Sequence, residues 1–133
     1  MNKLLPGLLG IGLFSILGVA FLLHSKNASA AAATHLVISE IQVAGTTSTD
    51  DFIELYNPTS SEIDLKDFRL VKITADGTTD TSVVAFEEGD AIPAHGYFLW
   101  CNTSSAASLS CDRSTSGTVA NNNSVGLRNG ALN

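Results

Sequence analysis

The fold is indicated first by residues 51–58, which read DFIELYNP. A short run of branched and aromatic residues followed by Asn-Pro is typical of a β-strand that ends in a turn. Successive side chains of a strand point to opposite faces. Ile53 and Leu55 are therefore expected on one face together with Asn57, and the residues between them on the other. The stretch predicts a strand with an apolar inner side.

Two polar side chains of this stretch have expected structural roles. Glu54 has to face solvent, pair with a base or accept backbone hydrogen bonds, because a buried carboxylate without partners is costly. Asn57 precedes Pro58, so its side chain can bond the backbone of its own turn and end the strand. For both residues the structural role is favoured over ligand binding.

Other segments of the chain have the same character. They occupy residues 35–43, 63–73, 82–86, 96–101 and 124–128. Turn-forming residues separate them, and no long window shows the periodicity of a helix. Six short strands predict an all-β sandwich or barrel. The apolar residues of the second segment do not alternate strictly, so a bulge or turn is expected at Lys66-Asp67. Residues 102–124 are mostly Ser, Thr, Asn, Gly and Ala, and predict a long surface loop.

The first thirty residues have the order of a secretory signal. Lys3 precedes an uncharged apolar run over residues 4–23, and Ala28-Ser29-Ala30 offers a small-residue cleavage site after Ala30. A hydrophobic helix that remains as a membrane anchor is the alternative, because twenty apolar residues are enough to cross a bilayer. Either role exports the remainder of the chain. Residues 1–30 are thus a signal peptide or anchor, 31–35 a short linker and 36–133 the folded domain.

The exported part is acidic. Residues 34–133 contain five strong bases and all thirteen acids, a formal net charge of −8. A nucleic-acid-binding surface needs a basic face, so direct nucleic-acid binding is disfavoured.

Several ordered blocks give the chain a family resemblance. The blocks are residues 38–41 (ISEI), 51–58 (DFIELYNP), 63–70 (IDLKDFRL), 92–99 (IPAHGYFL) and 124–129 (SVGLRN). Over residues 36–130 the chain resembles the lamin-tail domain (LTD) in its secreted bacterial form. The resemblance implies an immunoglobulin-like β-sandwich without a general catalytic constellation, acting as a binding or attachment module. Members usually continue with one or two more strands, so the domain is expected to be incomplete at its C-terminus.

The two cysteines, Cys101 and Cys111, are expected to form one disulfide, because an exported segment meets an oxidising compartment. Two free thiols are the alternative. No further ligand has the spacing of a zinc site, and no metal or cofactor is expected. The acidic clusters 50–51, 76 with 80, and 87–90 are interpreted as solvated charges rather than calcium ligands. His95 is expected in an exposed turn, because no nucleophile motif accompanies it.

Two further sets of residues are candidates for function. Glu40 and Glu54 lie on strands that are candidates for pairing, but nothing supplies the cleft that a glycosidase needs. The aromatic residues could form a sugar or peptide platform, although core packing is preferred. They are Trp100, Tyr97, Tyr56, Phe98 and Phe52.

The sequence therefore predicts a non-enzymatic exported module that binds or attaches at the cell envelope. Its partner would be a protein or polysaccharide at the cell surface, with membrane contact only through residues 4–23 of an uncleaved leader. The alternative function is an accessory domain of a longer secreted hydrolase or nuclease whose catalytic part lies elsewhere. Direct enzymatic activity is a third possibility, without a motif to carry it.

Overall fold

A computed structural model describes residues 31–106 and 108–130, all strands lying in the compact unit Ala32–Asn133. The predicted hydrophobic helix and the cleavage site at Ala30 lie outside the described residues. The strands are β1 (Val37–Gln42), β2 (Phe52–Tyr56), β3 (Ile63–Asp64), β4 (Phe68–Ile73), β5 (Asp80–Ala85), β6 (Ala91–Ile92), β7 (Tyr97–Asn102), β8 (Arg113–Thr115) and β9 (Ser124–Asn129). Among these residues there is no helix, and hence none long and apolar enough to span a membrane.

The strands form two main sheets and one short ladder. The four-stranded sheet has the order β1-β2-β7-β8, the three-stranded sheet has the order β5-β4-β9, and β3 pairs with β6. Every neighbouring pair is antiparallel except β7 and β8, which are parallel. This arrangement confirms the predicted all-β, sandwich-like class.

The core joins the two main sheets. Ile53 and Leu55 of β2 are fully buried, and so is Asn57 directly after the strand, which confirms the facing predicted from residues 51–58. Ile53 and Leu55 belong to one apolar cluster that also contains side chains of the three-stranded sheet. Phe86, directly after β5, meets Phe98 of β7 edge-on with ring centroids 5.4 Å apart. This geometry is favourable for aromatic pairs, and the contact connects the two sheets.

The segment 63–73 is broken into two strands, as its irregular alternation predicted. Phe68 N donates to Leu65 O at 2.8 Å, and Asp67 has a left-handed φ of 69°. The turn keeps Leu65 fully buried while the chain passes from β3 to β4. The short strand β6 was not predicted, because two residues are too few to show a pattern.

The prediction for residues 102–124 was partly wrong, because this segment is more than a surface loop. It contains β8, and Val119 and Ser105 within it are buried. Thr115 of β8 accepts from the indole N–H of Trp100 at 3.1 Å and donates to Val83 O at 3.0 Å. These are polar contacts of a small hydroxyl side chain, so a hydrophobic pattern could not reveal them.

Candidate functional site

The outer side of the four-stranded sheet carries the most distinctive group of exposed side chains. Ile53 and Leu55 point into the core, so the alternate residues of β2 point outward. The strand register places Tyr56 opposite Tyr97, Glu54 opposite Leu99, and Glu40 opposite Glu54. Directly paired residues share one side of a sheet. We call this surface the tyrosine–glutamate face; it consists of Glu40, Glu54, Tyr56, Tyr97 and Leu99.

Two tyrosine rings form its aromatic part. The ring centroids of Tyr56 and Tyr97 are 4.7 Å apart and the planes are tilted by 31°. Tyr97 is 58% exposed, the largest exposure of any large hydrophobic side chain in the described part of the chain. A tyrosine in this position presents a ring face and a hydroxyl group to solvent, which suits it to contacts with planar, sugar-like or cationic groups.

Two carboxylates form its acidic part. Glu40 and Glu54 are direct cross-strand partners, a placement that repels like charges. The register of β1 is irregular between Ile38 and Glu40, and Ser39 lies at this irregularity. Its hydroxyl donates to Glu54 Oε1 at 2.6 Å, so Glu54 is held by a local hydrogen bond rather than by a base.

The structure divides the aromatic residues that the sequence grouped together. Trp100 and Phe98 are buried in the core, as expected. Core packing was the wrong interpretation for Tyr97, which is exposed, and Tyr56 and Phe52 are only partly buried. The reason is strand parity: Tyr56 and Tyr97 lie on the sheet side opposite to Leu55 and the other core residues. The expected pairing of the strands that carry Glu40 and Glu54 is confirmed, and both side chains lie on an open sheet surface.

The turn residues lie where the sequence placed them. Asn57 Nδ2 donates to three carbonyl oxygens, those of Ser61 at 2.7 Å, Ile92 at 3.1 Å and Pro93 at 3.0 Å. Its Oδ1 accepts from Thr59 N at 2.9 Å. Asn57 thus closes its own turn, as predicted. It also binds the backbone of Ile92 and Pro93, in the segment that leads into β7. His95 is exposed in the neighbouring turn with a left-handed φ of 56°.

The acidic clusters are not uniformly solvated, and the prediction for Asp51 was wrong. Asp51 is fully buried; its Oδ1 accepts from Ala44 N at 2.8 Å and its Oδ2 from Val119 N at 2.9 Å. The side chain therefore joins the β1–β2 loop to the segment before β9. Residue type did not separate Asp51 from its neighbour Asp50. The available signal was strand parity, because Asp51 has the same parity as the buried residues Ile53 and Leu55.

The other acids have local roles. The pKa of Asp50 is lowered by hydrogen bonds from Thr47, and the pKa of Asp76 is lowered mainly by the hydroxyl of Thr74. Asp90 pairs with Arg113, with Asp90 Oδ2 and Arg113 Nη1 2.9 Å apart. Over residues 31–106 and 108–130, no three acidic, histidine or cysteine side chains are grouped as a metal site would require.

The predicted disulfide is present between Cys101 and Cys111, whose Cα atoms are 6.0 Å apart. Cys101 is fully buried at the end of β7, and Cys111 lies two residues before β8. Next to it, Asp112 Oδ2 accepts from Leu99 N at 2.7 Å, while Asp112 N donates to Leu99 O at 2.9 Å. Covalent and hydrogen bonds together attach β8 to the sheet.

A second polar feature lies on the three-stranded sheet. The Nε and Nη1 atoms of Arg69 are buried and have no hydrogen-bond partner among the described residues. Arg69 also lines a cavity of about 280 Å³, a volume at the lower limit of small-ligand pockets. The cavity is lined by Asp67, Phe68, Arg69, Ser82, Ala85, Phe86 and Gly130. Neither the cavity nor the unpartnered guanidinium was predicted, because both depend on tertiary packing.

Comparison with known proteins identifies the family. No curated protein matches the sequence. The sequence profile of the Lamin Tail Domain family matches residues 29–132, which is most of the chain and all nine strands. The sandwich-like arrangement of the sheets is in keeping with the immunoglobulin-like fold that the resemblance implies. The chain therefore belongs to the lamin tail domain family.

Proposed function

We propose that the protein is an exported, non-enzymatic binding module of the secreted bacterial lamin-tail type, and that it attaches at the cell envelope through the tyrosine–glutamate face. Family membership supports a module without a general catalytic constellation. A binding role through the same face would also suit an accessory domain of a longer secreted hydrolase or nuclease. The proposal rests mainly on one observation: Tyr97 is 58% exposed beside Tyr56, on an open sheet surface.

Export is supported by the order of features at the N-terminus and by the disulfide. We propose cleavage after Ala30, with residues 31–35 as linker and the domain beginning at residue 36. The bond between Cys101 and Cys111 is compatible with an extracellular location, because disulfides persist in oxidising compartments. Cell fractionation with N-terminal sequencing tests this part. A mature chain that begins at residue 31 would support cleavage, an intact membrane-bound chain would support the anchor, and a reduced cytosolic chain would overturn export.

The binding role is tested with isolated cell envelopes. The purified protein is expected to sediment with them, and Tyr97→Ala is expected to sediment less because it removes the exposed ring. Ile41→Ala is the matched control, since Ile41 is 43% exposed but pairs with Ile53 rather than with a residue of the face. If both variants sediment like the wild type, the tyrosine–glutamate face is not the attachment surface.

A further inference from the structure

The tyrosine–glutamate face carries two acidic side chains and no basic one. Glu40 and Glu54 oppose each other on neighbouring strands. Among the described residues, the strong bases lie elsewhere. Lys66 and Arg128 pair with acids outside the face, and Arg113 pairs with Glu87 and Asp90. Arg69 and Lys72 lie on β4 in the other sheet. Two carboxylates in direct register repel each other, so a cation placed between them would lower the energy of both.

The aromatic pair offers a second site for positive charge on the same surface. Tyr56 lies two residues after Glu54 on β2, which separates them by roughly 7 Å along the strand. A Lys or Arg side chain over a tyrosine ring is attracted to the π face. The same spacing of roughly 7 Å separates alternate side chains of any extended peptide. A peptide lying along β2 would therefore present one basic side chain to the glutamates and the next to the tyrosines.

We propose that the partner of the tyrosine–glutamate face is an extended, basic peptide segment with Lys or Arg at alternate positions. This inference rests on the proposed function, because it uses the same face. The charge of the folded part, −8 over residues 34–133, would draw such a segment toward the protein before contact. The carboxylates then bind one set of basic side chains and the paired rings bind the other.

The test measures the affinity of the full chain for a synthetic peptide of alternating Lys and Ser, by fluorescence anisotropy of the labelled peptide. Glu54→Gln and Tyr97→Leu are each expected to weaken binding about two- to fivefold, the range for single exposed ion pairs and cation–π contacts. Glu62→Gln, which removes an exposed acid that does not belong to the face, should leave the affinity unchanged. The equivalent peptide of Glu and Ser should not bind.

Glu40→Lys separates loss of binding from loss of folding. It replaces a repulsive cross-strand pair by an attractive one, so the unfolding midpoint should rise. The same change places a cation on the face, so binding of the basic peptide should fall about tenfold or more. A variant that is both more stable and unable to bind cannot be explained by misfolding.

Three results would overturn the inference. The first is an equal loss of affinity in Glu62→Gln and Glu54→Gln, because it would show only general attraction to an acidic protein. The second is binding of a neutral oligosaccharide that Tyr97→Leu abolishes, with no binding of the basic peptide. The third is retention of full peptide affinity in Glu40→Lys. In the second case sedimentation with envelopes would still depend on Tyr97, so the proposed function would stand while the peptide partner would not.

Discussion

The buried carboxyl group of Asp51 gives the most direct prediction for the fold. Its two oxygens each accept one backbone N–H, from Ala44 at 2.8 Å and from Val119 at 2.9 Å. Asp51→Asn keeps the volume but replaces one acceptor oxygen by an NH₂ group. One of the two backbone donors then faces another donor and loses its partner inside the protein.

The expected loss in the free energy of unfolding follows from these two hydrogen bonds. A hydrogen bond to a charged acceptor contributes about 1.5–3 kcal/mol, and a buried donor without a partner costs about 1–3 kcal/mol. We expect Asp51→Asn to lower the free energy of unfolding by about 2–3 kcal/mol. Asp51→Ala removes both acceptors and should cost about 3–5 kcal/mol. In a domain of this size, the smaller change corresponds to a fall in melting temperature of roughly 10–20 °C.

The assay is urea unfolding followed by the fluorescence of Trp100, the only tryptophan and a fully buried residue. Glu62→Gln is the matched control, because it removes the same charge from an exposed position. Hydrogen exchange adds a local readout, since the amide of Ala44 or of Val119, whichever faces the new NH₂ group, should exchange faster in Asp51→Asn. If the free energy of unfolding of Asp51→Asn lies within about 0.5 kcal/mol of the control, the two hydrogen bonds do not stabilise the loops.

Other predictions concern the covalent, ionic and acidic contacts. Replacing Cys101 and Cys111 by serine should lower the free energy of unfolding by about 2–3 kcal/mol, measured by urea unfolding against the oxidised wild type; an unchanged midpoint would contradict this. Arg113→Gln should cost about 1 kcal/mol at low salt and less at high salt, because its ion pairs are partly exposed; a salt-independent loss would point to packing instead. The pKa values of Asp50 and Asp76 are lowered in the folded state, so their contribution to stability is complete above pH 3.8 and is lost as the pH falls through the folded pKa. Carboxyl titration by NMR checks this, and midpoints at or above 3.8 would refute it.

The strands whose faces differ in polarity were predictable from the sequence. Alternation in residues 51–58 placed Ile53 and Leu55 in the core, and the irregular pattern near Lys66 marked a break that the structure shows as a turn. The elements that the sequence did not predict have little hydrophobic signal. The strand β8 is three polar or charged residues, and it is held by a disulfide, by Asp112 and by the hydroxyl of Thr115.

The candidate site was only partly predictable, because its membership depends on the side of the sheet to which each side chain points. Residue type alone cannot separate Trp100, which is buried, from Tyr97, which is exposed; their positions on β7 differ by an odd number, and this sends them to opposite sides of the sheet. The repulsion between Glu40 and Glu54 depends on strand register, which is shifted by the irregularity at Ser39. Such a shift is set by tertiary pairing and has no local sequence marker.

The parallel pairing of β7 and β8 has a consequence for how the sheet edge behaves. Parallel neighbours are normally joined by a crossover of a dozen or more residues, whereas here only residues 103–112 connect them, and the bond from Cys101 to Cys111 closes most of that length into a ring. If β8 detaches, the ring keeps it at a high local concentration beside β7, so it returns faster than a strand from another molecule can arrive. The covalent ring therefore disfavours pairing of the β7 edge with a strand of another molecule.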